Sequence, residues 1–471
     1  MNKLNFTTLK LSIMLLFLLL NSSIEVKSQE YSYREISVNL NTVWEIVWGP
    51  DNYLWVTERP GRVLRINPES GENNLILDIS EEVSVGSERG LMGMTLSPNF
   101  NSDKFVYLSY TYESSGTLVR IVRYKYDGNS LVEPFLMIDN IKGARNHDGC
   151  RLAFGDDGKL YITTGDAATS SSAQDLTWLN GKILRLNQDG SIPEDNPFYG
   201  MSSRRNEIWS SGHRNPQGLV FHNGILYSSE HGSSTNDELN IIEKARNYGW
   251  PNVEGMCDKP SELDFCNEND VREPIAIYYS DRTLAVAGID FYDVNENTPF
   301  AIAELNNSIL MTTLKTGILM QIKLSEDGLS VIQEKNIVQG EYGRLRSVCV
   351  NPEGKIFIGT SNRDGRGTPD ANDDKIIEIT SVKSDIEKEK RNENILEVYP
   401  NPSYGEMKIM SNSTTELEVE ILDLIGNRID KVSIMPNSIY EMKNMMLSSG
   451  YYILRATTED KVENKFINII R

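Results

Sequence analysis

The feature that most constrains this chain is a phrase it repeats. A tight polar turn leads into a short strand of alternating aromatic and β-branched residues. It occurs in Gly49-Pro50-Asp51-Asn52-Tyr53-Leu54-Trp55-Val56-Thr57-Glu58, in Gly155-Asp156-Asp157-Gly158-Lys159-Leu160-Tyr161-Ile162-Thr163-Thr164, and in Asn351-Pro352-Glu353-Gly354-Lys355-Ile356-Phe357-Ile358-Gly359-Thr360. Weaker copies are Ser97-Pro98-Asn99-Phe100 before Phe105 to Tyr110, His222-Asn223-Gly224 before Ile225 to Ser229, and Asn306-Asn307 before Ser308 to Thr313, which makes six. Gly, Asn and Pro favour the turn, and β-branched and aromatic side chains favour the strand. A period of roughly 45 to 85 residues is too long for one hairpin and suits one four-stranded blade. The expected fold class is therefore all-β, a six-bladed β-propeller over residues 29–380. The longer spacings imply insertions, expected together on one face with the site. A non-repeating β-sandwich is the plainer alternative.

The pattern breaks after Thr380. Residues 381–394 are polar and charged and read as a linker. Strand signals return in Leu396 to Tyr399, Leu417 to Leu422 and Gly450 to Arg455, so residues 395–471 are expected to form a small β-sandwich. At the other end, Lys3 and Lys10 precede the apolar run Leu11 to Leu20, with Val26 and Ser28 at cleavage-site positions. Residues 1–28 thus read as a secretory signal peptide, and no later run is long and apolar enough to span a bilayer. Export permits disulfides. Cys257 and Cys266 flank a short acidic loop and suit a local bridge, whereas the state of Cys150 and Cys349 cannot be read.

With 67 acidic against 47 basic residues the formal net charge is −20, which argues against nucleic-acid binding. The few histidines therefore stand out. His147 lies in Arg145-Asn146-His147-Asp148-Gly149-Cys150 and suits a general base. His213, beside Arg214, reads as a loop brace, and His222 as inert. The loop from Gly232 to Glu238 is rich in oxygen donors, and its backbone carbonyls with Asp237 and Glu238 suit calcium. Arg344 and Arg346 are two apart, face the same way in a strand, and suit a carboxylate-rich anion.

Four phrases in fixed order carry a resemblance: Gly212-His213-Arg214-Asn215-Pro216-Gln217-Gly218, Ser229-Glu230-His231-Gly232, Asp237-Glu238-Leu239-Asn240, and Asn247-Tyr248-Gly249-Trp250-Pro251. Over about Asn39 to Thr380 the chain resembles the soluble sugar dehydrogenases that use pyrroloquinoline quinone (PQQ), a family of six-bladed propellers. The resemblance implies PQQ and Ca2+ as cofactors. It implies oxidation of an aldose to its lactone, with electrons passing to an external acceptor. It makes His147 the general base, with Asn146 at the position of its acidic neighbour, and Arg214 a stabiliser of charge on the quinone oxygen. Glu88 falls near the cofactor, and Arg214, Asn215, Lys315, Arg344 and Arg346 match its contacts. Gly232 and Ser233 carbonyls match ligands of the calcium on the quinone. Glu238 and the Tyr248 carbonyl match ligands of a second calcium.

The chain departs from the family at three places. Glu88 replaces a glutamine, and a carboxylate there repels the cofactor's own carboxylates unless it is protonated or bonded to a cation. The tryptophan expected near Tyr279 is not evident, and Ser233 replaces a proline. Val398-Tyr399-Pro400-Asn401-Pro402-Ser403, Asp423-Leu424-Ile425-Gly426-Asn427 and Leu447-Ser448-Ser449-Gly450-Tyr451-Tyr452 resemble the type A sorting domain of type IX secretion, which implies that machinery as a partner and a secreted or cell-surface location. Two other functions fit the same fold: a catalytically silent propeller that binds a sugar or protein, and a calcium-dependent lactonase.

Overall fold

The structure, a computed structural model, describes residues 31–279, 281–381 and 395–470, apart from 402, 404, 405, 443–446, 459 and 460. The expected signal peptide lies outside the described residues, as does the expected linker apart from Ser381, which ends a strand.

Among the described residues, six four-stranded antiparallel sheets follow one another. Five are formed by consecutive strands within residues 43–78, 91–142, 152–211, 216–278 and 286–339. The sixth takes three strands from residues 345–381 and its outer strand, Tyr31–Ser37, from the other end of the chain. The first strand of each sheet packs on the first strand of the next, and that of the sixth packs on that of the first. The sheets are therefore the blades of a closed ring.

Each repeated phrase is the hairpin between the first and second strands of one blade. The residues explain the turns. Asn52, Gly158 and Gly354 take positive φ angles of 61°, 69° and 90°. Asp51 accepts from the Tyr53 N–H and the Trp55 indole N–H, and Asn351 Oδ1 accepts from the N–H groups of Glu353 and Lys355. In the first blade the second strand buries its aromatic residue against the next blade. Trp55 is fully buried and meets Phe100 and Tyr126 edge-on at 5.4 and 4.9 Å, an arrangement that favours aromatic pairs.

Antiparallel order places all six of these hairpins at one end of the ring. The loops that enter each first strand, and those joining second to third strands, lie at the other end. Insertions do not share one face, as the spacing suggested. Residues 165–181 and 361–375 lie at the second end, because they join second to third strands. Residues 187–207 join third to fourth strands and stay at the hairpin end, where Arg185 pairs with Asp157 and Asp195. The insertion 242–275 leaves from that end but returns, so that the Trp250 N–H donates to the Gly212 carbonyl at 3.0 Å. It carries the helix Pro260–Asn269 and the disulfide Cys257–Cys266. Cys150 and Cys349 are buried free thiols.

The C-terminal region pairs a three-stranded sheet with a four-stranded one. They enclose Leu396, Ile409, Leu417, Val419, Ile421, Leu454 and Ile467. Leu417, Val419 and Ile421 are buried while Glu418 is exposed, as alternation requires. Among the described residues no helix is long and apolar enough to cross a membrane.

Candidate active site

The second end of the ring holds a cleft of about 380 Å³. Its walls come from every blade. Arg59 follows the second strand of the first blade, Glu88 and His147 precede the second and third, and Arg214 precedes the fourth. His231 and Gly232 follow the second strand of the fourth, Lys315 that of the fifth, and Asp364 that of the sixth. Arg344 precedes the first strand of the sixth blade and Arg346 lies on it.

The His147 loop is tightly held. His147 and Cys150 are non-glycine residues at φ 63° and 78°, in the left-handed region that costs energy and is concentrated at functional sites. The His147 carbonyl accepts from the Ala167 N–H at 3.0 Å, and the Cys150 N–H donates to the Thr163 carbonyl at 2.7 Å. His147 Nδ1 lies 2.9 Å from Asp166 Oδ1. Asp166 is buried and its carboxylate only accepts, so Nδ1 carries the proton and Nε2 the free lone pair. Asn146 does line the cleft, but the carboxylate on the imidazole is that of Asp166, nineteen residues downstream.

Charge is the second property of the cleft. Six cationic side chains line it, those of Arg59, Arg214, Lys315, Arg344, Arg346 and Arg366, against the two carboxylates of Glu88 and Asp364. Asp364 organises the arginine pair. It meets Arg344 at 2.8 Å and Arg346 at 3.3 Å, so the two point the same way. Burial raises the Asp364 carboxyl, but Arg346 and Arg344 outweigh it and hold the group below its ordinary value. Burial pushes Arg346 down to about 10 despite Asp364, with Arg59 and Arg344 adding to the fall, so it stays charged at neutral pH. Lys315 Nζ reaches Thr283 Oγ1 at 3.3 Å.

Glu88 is bonded to a cation. Its carboxylate pairs with Arg366 at 3.0 Å and accepts from the His147 N–H at 3.1 Å. Burial raises its pKa, yet the His147 N–H, His231 and Arg366 together hold it below the ordinary value. The repulsion expected of a bare carboxylate here is offset by Arg366. His231 is pushed down to about 4 by burial, and its Nε2 is buried without a hydrogen-bond partner in the wall of the site. Asn215 lies behind the wall, fully buried, with Oδ1 accepting from the Gly149 N–H and Gln217 Nε2. Its Nδ2 is buried without a partner.

His213 braces the loop as its position suggested. It is fully buried between Glu230 and Ser210, each at 2.9 Å, and stacks on Tyr248. His222 stacks on Phe291 away from the cleft. Tyr279 is 42% exposed under the Arg282 guanidinium and does not line the cleft, although Thr283, four residues on, does.

A smaller cleft adjoins the first, walled by Arg214, Glu230, Glu238, Tyr248, Trp250 and Glu254. Asp237 is not available to a cation there. Its Oδ1 accepts from Gly232, and its Oδ2 from Leu284 and Ala285, so backbone N–H groups occupy it. Glu238 accepts from the Gly255 N–H and Asn240 Nδ2. Burial, with Glu230 nearby, pushes it up to about 8. Ser233 donates its N–H and its hydroxyl to Glu254. Among the described residues no three His, Cys, Asp or Glu side chains form a metal cage. A cation here would rely on carbonyls together with Glu238, and the crowding of buried carboxylates is what such an ion relieves.

Arg59, Asp166, Asp364 and Arg366 escape a reading of the sequence. Each follows a second strand, and that position, shared with Lys315 and His231, is the one signal that could have found them.

Fold and site together define an all-β propeller with a cation-lined cleft beside a His–Asp pair. The sequence model of Glucose / Sorbosone dehydrogenase matches residues 40–369, and the chain belongs to that family. That of the Secretion system C-terminal sorting domain matches residues 397–470, which marks the chain for type IX export, to the surface or the medium. The chain is similar to quinoprotein glucose dehydrogenase B of Acinetobacter calcoaceticus, at 30% identity over 71% of this chain and 86% of that one. It is also similar to the aldose sugar dehydrogenase YliI of Escherichia coli, at 29% identity over 69% and 89%. The structure of the PQQ-bound aldose sugar dehydrogenase of Streptomyces coelicolor superposes with a TM-score of 0.63 and 33% identity, covering 75% of this chain and 99% of that one.

Proposed function

We propose that the chain is an exported PQQ-dependent aldose dehydrogenase that oxidises the anomeric carbon of a sugar to the lactone. The observation that carries this reading is the His147–Asp166 pair facing a cleft lined by six cationic side chains. The cofactor has three carboxylates, and guanidinium pairs such as Arg344 and Arg346 bind carboxylates in the plane of their forks. The unpartnered nitrogens of Arg214 and His231, both in the cleft wall, are further donors that an acceptor-rich ligand would satisfy.

The chain's own residues divide the work. Nε2 of His147 takes the proton of the anomeric hydroxyl, and Asp166 stabilises the imidazolium that forms. Arg214 and the arginine pair would hold PQQ, which when bound would supply a two-electron acceptor for the hydride that leaves the same carbon. Arg214 stabilises negative charge developing at that end of the cleft. Asn215 orients, and Lys315, Arg344 and Arg346 hold carboxylates. The carbonyls of Gly232 and Ser233 would hold a calcium ion on the quinone. Glu238 and the Tyr248 carbonyl would hold a second, structural one. An external acceptor would take up the two electrons.

Titration of the calcium-loaded protein with PQQ tests this. Binding seen in the quinone absorbance, with dye reduction that depends on an added aldose, is expected. His147→Ala should keep the binding and lose about 10²–10⁴-fold in kcat, the usual contribution of general-base catalysis. Absence of binding overturns the reading.

A further inference from the structure

The His147 base has a second layer that the family phrases do not explain. Asp166 receives three donors. Oδ1 accepts from His147 Nδ1 and the Ala168 N–H, both at 2.9 Å, and Oδ2 accepts from the Trp250 indole N–H at 2.9 Å. Trp250 is fixed in turn. Its N–H donates to the Gly212 carbonyl at 3.0 Å, and its carbonyl accepts from Gln174 Nε2 at 2.6 Å. The Arg214 guanidinium lies 5.3 Å from the centre of its ring, within cation–π range. The Asp166 N–H closes the triangle by donating to the Arg214 carbonyl at 2.8 Å.

A carboxylate hydrogen-bonded at one oxygen alone can rotate about its own axis and present either oxygen to the imidazole. With Oδ2 tied to an indole that does not swing, Oδ1 is held on Nδ1, and the ring keeps one tautomer and one orientation. Trp250 belongs to an insertion that leaves from the far end of the ring, so its arrival beside Asp166 is no by-product of the blade repeat.

We propose that Trp250 is a positioning residue for the base: through Asp166 it keeps the proton on Nδ1 of His147 and the lone pair on Nε2, and its ring face lies under the Arg214 guanidinium of the same cleft. The inference rests on the reading of His147 as the base, but its test is independent of the cofactor.

The readout is the histidine side-chain NMR spectrum of the full chain, 15N-labelled at histidine, without quinone or calcium. Only four histidines occur, and His147→Gln assigns the one of interest. In the parent protein the His147 Nδ1 proton is expected far downfield and slow to exchange. Trp250→Phe keeps the ring and removes the N–H. It should move that proton upfield, speed its exchange, and shift the tautomer balance toward Nε2–H. In the quinone-loaded protein it should lower kcat about tenfold while sugar KM and quinone binding change less than twofold. If Trp250→Phe does not fold, a benzothienyl-alanine at position 250, in which sulfur replaces the N–H, decides the same question. An unchanged His147 signal in the folded variant overturns the proposal. If the parent neither binds quinone nor oxidises a sugar while the signal shifts as expected, the positioning of His147 stands and the reaction assigned to it falls.

Discussion

Asp148 and Asp166 both follow His147 in the chain, and burial treats them differently. Asp166 is satisfied by three donors. Asp148 accepts from the Ala144 N–H, and its Oδ2 is buried without a hydrogen-bond partner. Burial pushes the Asp148 carboxyl from 3.8 up to about 8, against the pull of the Ala144 N–H and with Glu88 and Asp166 adding to the rise. The folded protein therefore holds a proton there that the unfolded chain releases. Its contribution to stability is fully present below about pH 4 and is lost as pH rises through about 8, with a slope of at most about 1.4 kcal/mol per pH unit. Asp148→Asn puts an amide where the protonated oxygen stands. The variant's melting temperature should gain on the parent's steadily between about pH 5 and pH 8, as thermal unfolding at several pH values will show. A constant difference would mean that Asp148 is ionised in the folded state.

At the scale of elements, the second-to-third-strand loops matter most. Gly165 follows such a strand, and a Cβ added there would lie 2.0 Å from the His147 carbonyl oxygen. Gly165→Ala must push the His147 loop away. It should cost about 1–3 kcal/mol of stability by overpacking and should lower activity more than its melting temperature implies. Parallel denaturation and kinetics measure both. The same loops show what was legible in the sequence. The six hairpins were, because each depends only on turn residues and the strand beside them. The loops that build the cleft carry no such local signature. Glu88 and Arg366 pair across 278 residues of chain, and Arg59 donates to the Asp364 carbonyl across 305. Such partners are brought together only by closure of the ring, so the charge balance at Glu88 could not be read in advance. Asp237 shows the opposite failure. It reads as a cation ligand, but three backbone N–H groups of neighbouring loops claim it. Arg344 and Arg346 were legible as a pair from their spacing, but Arg344 lies just before the strand and the ladder shifts register between Leu345 and Ser347, so it is Asp364, on a different loop, that brings them together.

At the scale of the whole molecule, a cationic cleft sits in a chain of net charge −20. An anionic ligand is repelled by the whole and attracted by the part. At about 0.01 M ionic strength the screening length of about 30 Å exposes the ligand to the whole charge, and at about 0.15 M, with about 8 Å, to little beyond the cleft. The association rate of the quinone should therefore rise as salt is added over this range, while that of a neutral sugar stays flat. Stopped-flow binding at several ionic strengths checks it, and a rate that falls with salt from the start would show that the cleft's field dominates at long range.

The strand Tyr31–Ser37 closes the ring by pairing with Ile376–Ser381, with Tyr31 opposite Ser381. Both chain ends thus leave the ladder at the same place. A load applied between them opens this clasp like a zip, one rung at a time, rather than sliding all the rungs at once. The first rungs to give lie at the hairpin end, and the last, Ser37 opposite Ile376, adjoins the loop that carries Asp364 to the cleft. A molecule tethered only through residues beyond Ser381 leaves its other end free, so no load acts between the two ends to unzip the clasp. Attachment through the C-terminal region alone is thus the mechanically gentle way to hold this ring against flow.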